Sequence, residues 1–133
     1  MNILADTQIL VWSLDINSPL STRQREILQD TGNRIFASYI SLMELVIKKS
    51  IGKLPDFVPD INQVAALWLK NGYEILPLSE KHIFSYTTVP FFQGHRDPFD
   101  RFIIAIAKDE NFVVMTEDSK FHLYTSFIQL VSC

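Results

Sequence analysis

Apolar residues fall into short runs and into longer stretches at helical spacing, and the two kinds take turns from end to end. Residues 2–5 read as a short buried strand that ends at Asp6. Residues 7–14 place Ile9, Val11 and Trp12 at helical spacing and stop near Asn17-Ser18-Pro19. Ser21-Thr22-Arg23-Gln24 fits a capping box for a second helix running to about Asp30. After the turn Thr31-Gly32-Asn33, residues 34–38 predict a second strand. Leu42, Leu45, Val46 and Ile47 then mark a helix that Gly52 ends. Asp60 caps a further helix through Trp68 and Leu69, closed by Asn71-Gly72, and residues 73–78 predict a third strand. Ser79 caps the next helix. The loop Val89-Pro90-Phe91-Phe92-Gln93-Gly94 leads into another helix at Pro98, and residues 112–115 and 127–131 predict strands four and five.

Strands alternating with helices, with no repeat, linker or low-complexity segment, predict one α/β domain over residues 1–133. The expected architecture is three-layered, α/β/α, around a mostly parallel sheet of about five strands. In such sheets ligands bind beyond the carboxyl ends of the strands. Asp6 and Asp118 directly follow strands one and four, so both belong at that edge.

Composition fits a folded single domain, with 47% apolar and 20% charged residues. The apolar runs are far short of a membrane span, and no basic leader precedes the first strand. Cys133 stands alone, which excludes an internal disulfide or a cysteine-zinc cluster within one chain. A reduced cytoplasm is the expected location. The net charge of -3 argues against holding nucleic acid through overall charge. Lys48, Lys49, Lys53, Arg96, Arg101 and Lys120 nonetheless lie close in sequence to acidic residues. Taken alone they are most simply an ordinary solvated surface; beside a carboxylate centre they would suit a phosphodiester.

The carboxylates change the picture. His95-Arg96-Asp97-Pro98-Phe99-Asp100-Arg101 runs directly into Phe102-Ile103-Ile104-Ala105-Ile106-Ala107, a helix with so little polar face that it must be buried on most sides. Asp97 before Pro98 is suited to cap that helix, whereas Asp100 falls in its first turn and faces the sheet edge. Glu44 has two placements. It completes a Ser41-x-x-Glu44 capping box if its helix starts late, or it lies in the second turn and faces the cleft if the helix starts at Ser38. Asp6 and Asp118 have similar local explanations as turn and cap residues. Together, however, Asp6, Glu44, Asp100 and Asp118 would converge and repel one another, so something must cancel their charge. Oxygen ligands of this kind suit Mg2+ or Mn2+, and the chemistry implied is hydrolysis of a phosphodiester by activated water.

In its order of motifs the chain resembles the PIN-domain nucleases and, within them, the VapC-type toxins of bacterial toxin–antitoxin pairs. The resemblance covers nearly the whole length. It rests on Leu4-Ala5-Asp6-Thr7, on Ser41-Leu42-Met43-Glu44 with Ile47-Lys48 and Gly52-Lys53-Leu54, on the block from His95 to Arg101, and on Met115-Thr116-Glu117-Asp118. It implies a PIN-like α/β/α fold, a Mg2+- or Mn2+-dependent ribonuclease, an RNA substrate, an antitoxin partner and a homodimer. The four family acids correspond to Asp6, Glu44, Asp100 and Asp118. Thr7 and Thr116 match hydroxyl positions that orient a ligand carboxylate or meet substrate, and Arg96 or Arg101 would meet the phosphate. One departure is Met43, where this branch usually has a tryptophan; packing should change there, not chemistry.

Competing classes find less support in the sequence. His82, His95 and His122 are too scattered for a zinc site and lack a nucleophile to serve as general base. The isolated glycines make no phosphate loop. Trp12, Trp68 and most phenylalanines read as core, with Phe91 and Phe92 as loop residues able to meet a base or a partner. A nuclease in RNA processing without an antitoxin, or a PIN-like scaffold that binds RNA or protein without catalysis, are the alternatives. A scaffold has no need of a self-repelling acidic cluster. A phosphoacceptor receiver domain would need acids that are not present.

Overall fold

The sheet is fully parallel, in the strand order β3-β2-β1-β4-β5. In the computed structural model, which describes residues 1–132, β1 is Asn2–Ala5, β2 Arg34–Ser38, β3 Glu74–Leu76, β4 Val113–Met115 and β5 Gln129–Leu130. Cys133, on which the cysteine argument rests, lies outside the described residues. Parallel neighbours need crossover connections, so the chain passes over one face or the other between strands. The order reverses around β1, which places a ligand crevice beyond the carboxyl ends of β1 and β4.

The pleat sorts the apolar residues into two layers. Ile3, Ala5, Ile35, Ala37 and Met115 pack with Ile9, Ile27 and Trp68, from α1 (Thr7–Trp12), α2 (Thr22–Gln29) and α4 (Val64–Lys70). Leu4, Phe36 and Val114 pack on the other side, against Ile103, Ile104 and Ile106 of α6 (Pro98–Glu110) and against Phe121 and Tyr124. α3 (Tyr39–Ser50) contributes to both layers, Leu45 to the first and Ile40 to the second. The expected α/β/α arrangement is what forms. Its strands are apolar on both faces because both faces are covered.

Caps set most element starts where the sequence places them. Ser21 makes the full capping box with Gln24, and Ser79 makes one with His82 at the start of α5 (Glu80–Ser85). Several elements are shorter than expected: α1 stops at Trp12, β4 begins at Val113, and β5 spans only Gln129–Leu130. Asp60 caps a 3₁₀ turn, Ile61–Gln63, and α4 begins only at Val64. The third strand ends at Leu76 because Pro77 has no N–H to extend a ladder. α6 closes on Asn111 in the left-handed conformation (φ 57°), a usual helix stop. Among the described residues no helix is long and apolar enough to cross a membrane.

Candidate metal centre

Each acidic residue reaches the crevice for its own local reason. Asp6 leaves β1 and caps α1, with Oδ1 accepting from the Ile9 amide at 3.0 Å. Its Oδ2 accepts from the Thr116 hydroxyl, and its own amide donates to Met115 O at 3.0 Å, tying it to the end of β4. Thr116 Oγ1 in turn accepts from the Asp118 amide at 3.0 Å. Asp118 then caps Ser119–Tyr124, accepting from Lys120 N at 2.9 Å. On α6, Asp97 takes the cap, accepting from the amides of Phe99 at 2.8 Å and Asp100 at 3.3 Å. With the cap filled, Asp100 is left free to face the crevice from the first turn.

The open question about Glu44 is resolved by Ser38. Ser38 caps α3 through Ile40 N, while Ser41 is buried and its Oγ accepts from the Thr7 hydroxyl at 2.9 Å. Glu44 therefore lies in the second turn, buried, with Lys48 Nζ 2.5 Å away. Burial works against the charge on Lys48, but the Glu44 carboxylate, helped by Asp97 and Asp100, outweighs it and raises its pKa.

Electrostatics bind these residues into one site. Burial pushes the Asp6 carboxyl up to about 6, against the lowering effect of its bonds to Thr116 and Ile9; the charges of Asp100 and Asp118 push it further up. Asp100 is raised as well, by burial first, with His95 opposing and Asp97 and Asp118 adding repulsion. Asp6, Asp100 and Asp118 thus strain against one another within a crevice of about 400 Å³ that Glu44 and Lys48 also line. Carboxylate oxygens that are expensive to ionise together fit a hard divalent cation. Glu44 shares the crevice, but its charge is already matched by Lys48.

Two expectations about neighbouring residues need correction. Arg101 cannot meet a phosphate here. It is fully buried, with Nη1 donating to Pro90 O at 2.8 Å and Nη2 to Val89 O at 2.7 Å. Its guanidinium carbon lies 3.7 Å from the centre of the Phe91 ring and 4.9 Å from that of Tyr86. One helical step past Asp100 turns the side chain from the crevice into the preceding loop. Arg96 stays exposed, and Phe91 is the loop aromatic that covers Arg101. Thr116 holds a carboxylate, whereas Thr7 is engaged with Ser41.

The second correction concerns His95, set aside in the sequence as one of three scattered histidines. It is buried against the site, with Nε2 3.1 Å from Asp100 Oδ2 and Nδ1 2.7 Å from the Tyr124 hydroxyl. His95, Asp100 and Asp118 each bring a ligand-type atom within 4.8 Å of the others. The available signal was its place five residues before Asp100. The loop that folds it back, with Gly94 at φ 84° and a bridge between Phe92 and His95, is not legible from spacing.

Nearly the whole chain superimposes on chains of known toxin–antitoxin structures. VapBC2 from Rickettsia felis, bound to a DNA fragment from its promoter, matches with TM-score 0.65 and 22% identity, over 97% of each chain. VapBC-1 from nontypeable Haemophilus influenzae matches at TM-score 0.61 and 20% identity, over 99% of this chain and 98% of that one. A toxin–antitoxin complex from Klebsiella pneumoniae gives TM-score 0.61 and 19% identity, over 98% and 96%. No curated protein matches by sequence. At these identities the structural likeness speaks for the fold alone. The PIN domain family model, however, matches residues 3–125, which span the whole acidic crevice, and the chain belongs to the PIN domain family.

Proposed function

We propose that this protein is a Mg2+- or Mn2+-dependent endoribonuclease, the toxin of a VapBC-type toxin–antitoxin pair. The observation that carries the reading is the gathering of Asp6, Asp100 and Asp118 at one crevice, where burial first, and then the charges of Asp100 and Asp118, lift Asp6 to about 6. Asp6 and Asp100 would hold the ion most directly, and Asp118 and Glu44 would complete the shell or act through water. When bound, such an ion supplies Lewis acidity to a water and to a phosphoryl oxygen. The chain itself does the rest. Thr116 fixes the Asp6 carboxylate, and Asp97 caps α6 so that Asp100 can point inward. Lys48 at the crevice wall and the exposed Arg96 offer positive charge to an RNA backbone.

An antitoxin partner is supported by a second feature. A groove of about 670 Å³, lined by Trp12, Phe57, Val58 and Leu67, joins the crevice at Val11 and Leu54. An apolar segment seated there would stand beside the acids and block RNA. A homodimer would use the exposed stripe Tyr39, Met43, Val46 and Ile47 of α3. The deciding experiment is RNA cleavage by the purified protein with Mg2+ or Mn2+, with chelator, and with Asp100→Asn. Cleavage that needs the metal and falls by orders of magnitude in the variant supports the reading. Wild-type rates in Asp100→Asn would sink it.

A further inference from the structure

Tyr124, His95 and Asp100 form one hydrogen-bonded chain, with the buried Arg101 guanidinium at its far end. Arg101 is a pure donor whose Nη1 and Nη2 are bonded to the carbonyls of Pro90 and Val89, and its positive charge acts on the phenol oxygen of Tyr124. With its oxygen lone pairs drawn to that cation, the Tyr124 hydroxyl turns its proton to His95 Nδ1, 2.7 Å away. A neutral imidazole that accepts at Nδ1 carries its proton at Nε2. That proton then meets Asp100 Oδ2 at 3.1 Å, and an ionised carboxylate only accepts. Both interior members are buried, Tyr124 at 0% and His95 at 2% exposure, so water does not compete for these groups. The imidazole also packs edge-on against Tyr124, with ring centroids 5.3 Å apart, and lies 6.0 Å from Phe121, which leaves it little room to turn.

We infer that His95 and Tyr124 are positioning residues for Asp100: they hold one carboxylate oxygen, Oδ2, from behind and leave the other turned to the ion. The inference rests on the metal-dependent reading above and deepens it. It also gives Arg101 a purpose in the site without contact to substrate. Arg101 anchors the carbonyls of Val89 and Pro90 and sets the direction of the chain, so a residue next to Asp100 in sequence acts on it through two others. Partners that orient a ligand from behind typically change metal affinity by about 10- to 100-fold when removed.

The test is Mn2+ titration by calorimetry, with melting of each metal-free protein alongside. His95→Phe removes the donor and should weaken Mn2+ binding by about tenfold or more. Tyr124→Phe leaves His95 and Asp100 in place but frees the tautomer, and should weaken binding by a smaller factor, about threefold to tenfold. His95→Gln, whose amide reaches the Nε2 position with an N–H, should restore binding to within about threefold of wild type. Should His95→Phe not fold, the contrast between Tyr124→Phe and His95→Gln carries the test. Lowered melting temperatures with unchanged Mn2+ affinity would make the chain merely structural and overturn the inference. Equal losses in His95→Gln and His95→Phe would do the same. Nitrogen hyperfine coupling to bound Mn2+ that vanishes in His95→Gln would make His95 a ligand instead, also overturning it. Wild-type protein that takes up no Mn2+ overturns the metal reading and this inference together, whereas normal wild-type binding with unaffected variants overturns this inference alone.

Discussion

The two ends of α6 carry the same pair, a buried histidine against a carboxylate, and use it differently. At the far end His82 accepts from the Ser79 amide through Nδ1 at 3.1 Å and meets Glu110 through Nε2 at 2.8 Å. Ser85 donates to Asp109 close by, at 2.7 Å. That cluster ties α5 to the last turn of α6, His82 donating to Glu110 and Ser85 to Asp109. At the near end His95 spends Nδ1 on a buried tyrosine rather than on a backbone cap. Its carboxylate, Asp100, opens into a crevice shared with Asp6 and Asp118. A histidine–carboxylate pair is thus no signature of function. The company of the carboxylate separates the two: the near end gathers acids that repel one another, the far end stitches two helices.

The largest break in the comparison is activity. Asp100→Asn should lower metal-dependent RNA cleavage by orders of magnitude, whereas Glu110→Gln should leave kcat unchanged; equal losses at both ends would erase the distinction. Next comes the energy held in the acidic cluster. Asp6 titrates at about 6 in the fold against an ordinary 3.8, so the folded protein holds this proton more tightly than the unfolded chain. Its contribution is full below about pH 4 and is lost as pH rises through 6. Asp6→Asn, which keeps the α1 cap, should therefore equal the metal-free wild type near pH 4 and exceed it by up to about 3 kcal/mol above pH 7. Urea unfolding of both proteins in chelator across this range measures the gap; parallel pH curves would mean that neither burial nor the neighbouring acids lift the Asp6 carboxyl.

Metal should relieve the same strain. Mn2+ at 100 times its dissociation constant should stabilise the wild type by about 2.7 kcal/mol, and thermal melting with and without the ion reads the shift. The smallest effect sharpens the contrast between two neighbours in one motif. Asp97→Ala should cost about 1 kcal/mol through the lost cap and Asp97→Asn only a few tenths, with metal affinity scarcely changed in the Asn variant. Calorimetric titration of Asp97→Asn beside Asp100→Asn decides the assignment: a larger loss of affinity at Asp97 would reverse the roles of the two carboxylates.

Much of this molecule could be read from the chain because its signals are local. The strands, the Ser21 and Ser79 capping boxes, the Asp97-Pro98 helix start and the edge positions of Asp6 and Asp118 all depend on a few adjacent residues. Glu44 was ambiguous because Ser38 and Ser41 are both competent caps, and only the packing of Ser41 against Thr7 separates them. For a related reason Arg101 and His95 depart from what the sequence predicts. Arg101, beside an acid, suggests a phosphate contact, and His95, far in sequence from the other histidines, suggests no site at all. Their partners are the carbonyls of Val89 and Pro90 and a tyrosine 29 residues away.

By itself, then, the sequence determined the order of elements, the two-faced sheet and the edge positions of Asp6 and Asp118, because backbone periodicity, capping and strand termini are properties of neighbours along the chain. Tertiary structure decided how those carboxylates are held and charged. The lift of Asp6 comes from burial and from Asp100 and Asp118 on other elements, and the grip on Asp100 comes from a fold-back loop that no local pattern specifies. Desolvation and directional hydrogen bonds depend on what is near in space, and only the closed fold supplies that.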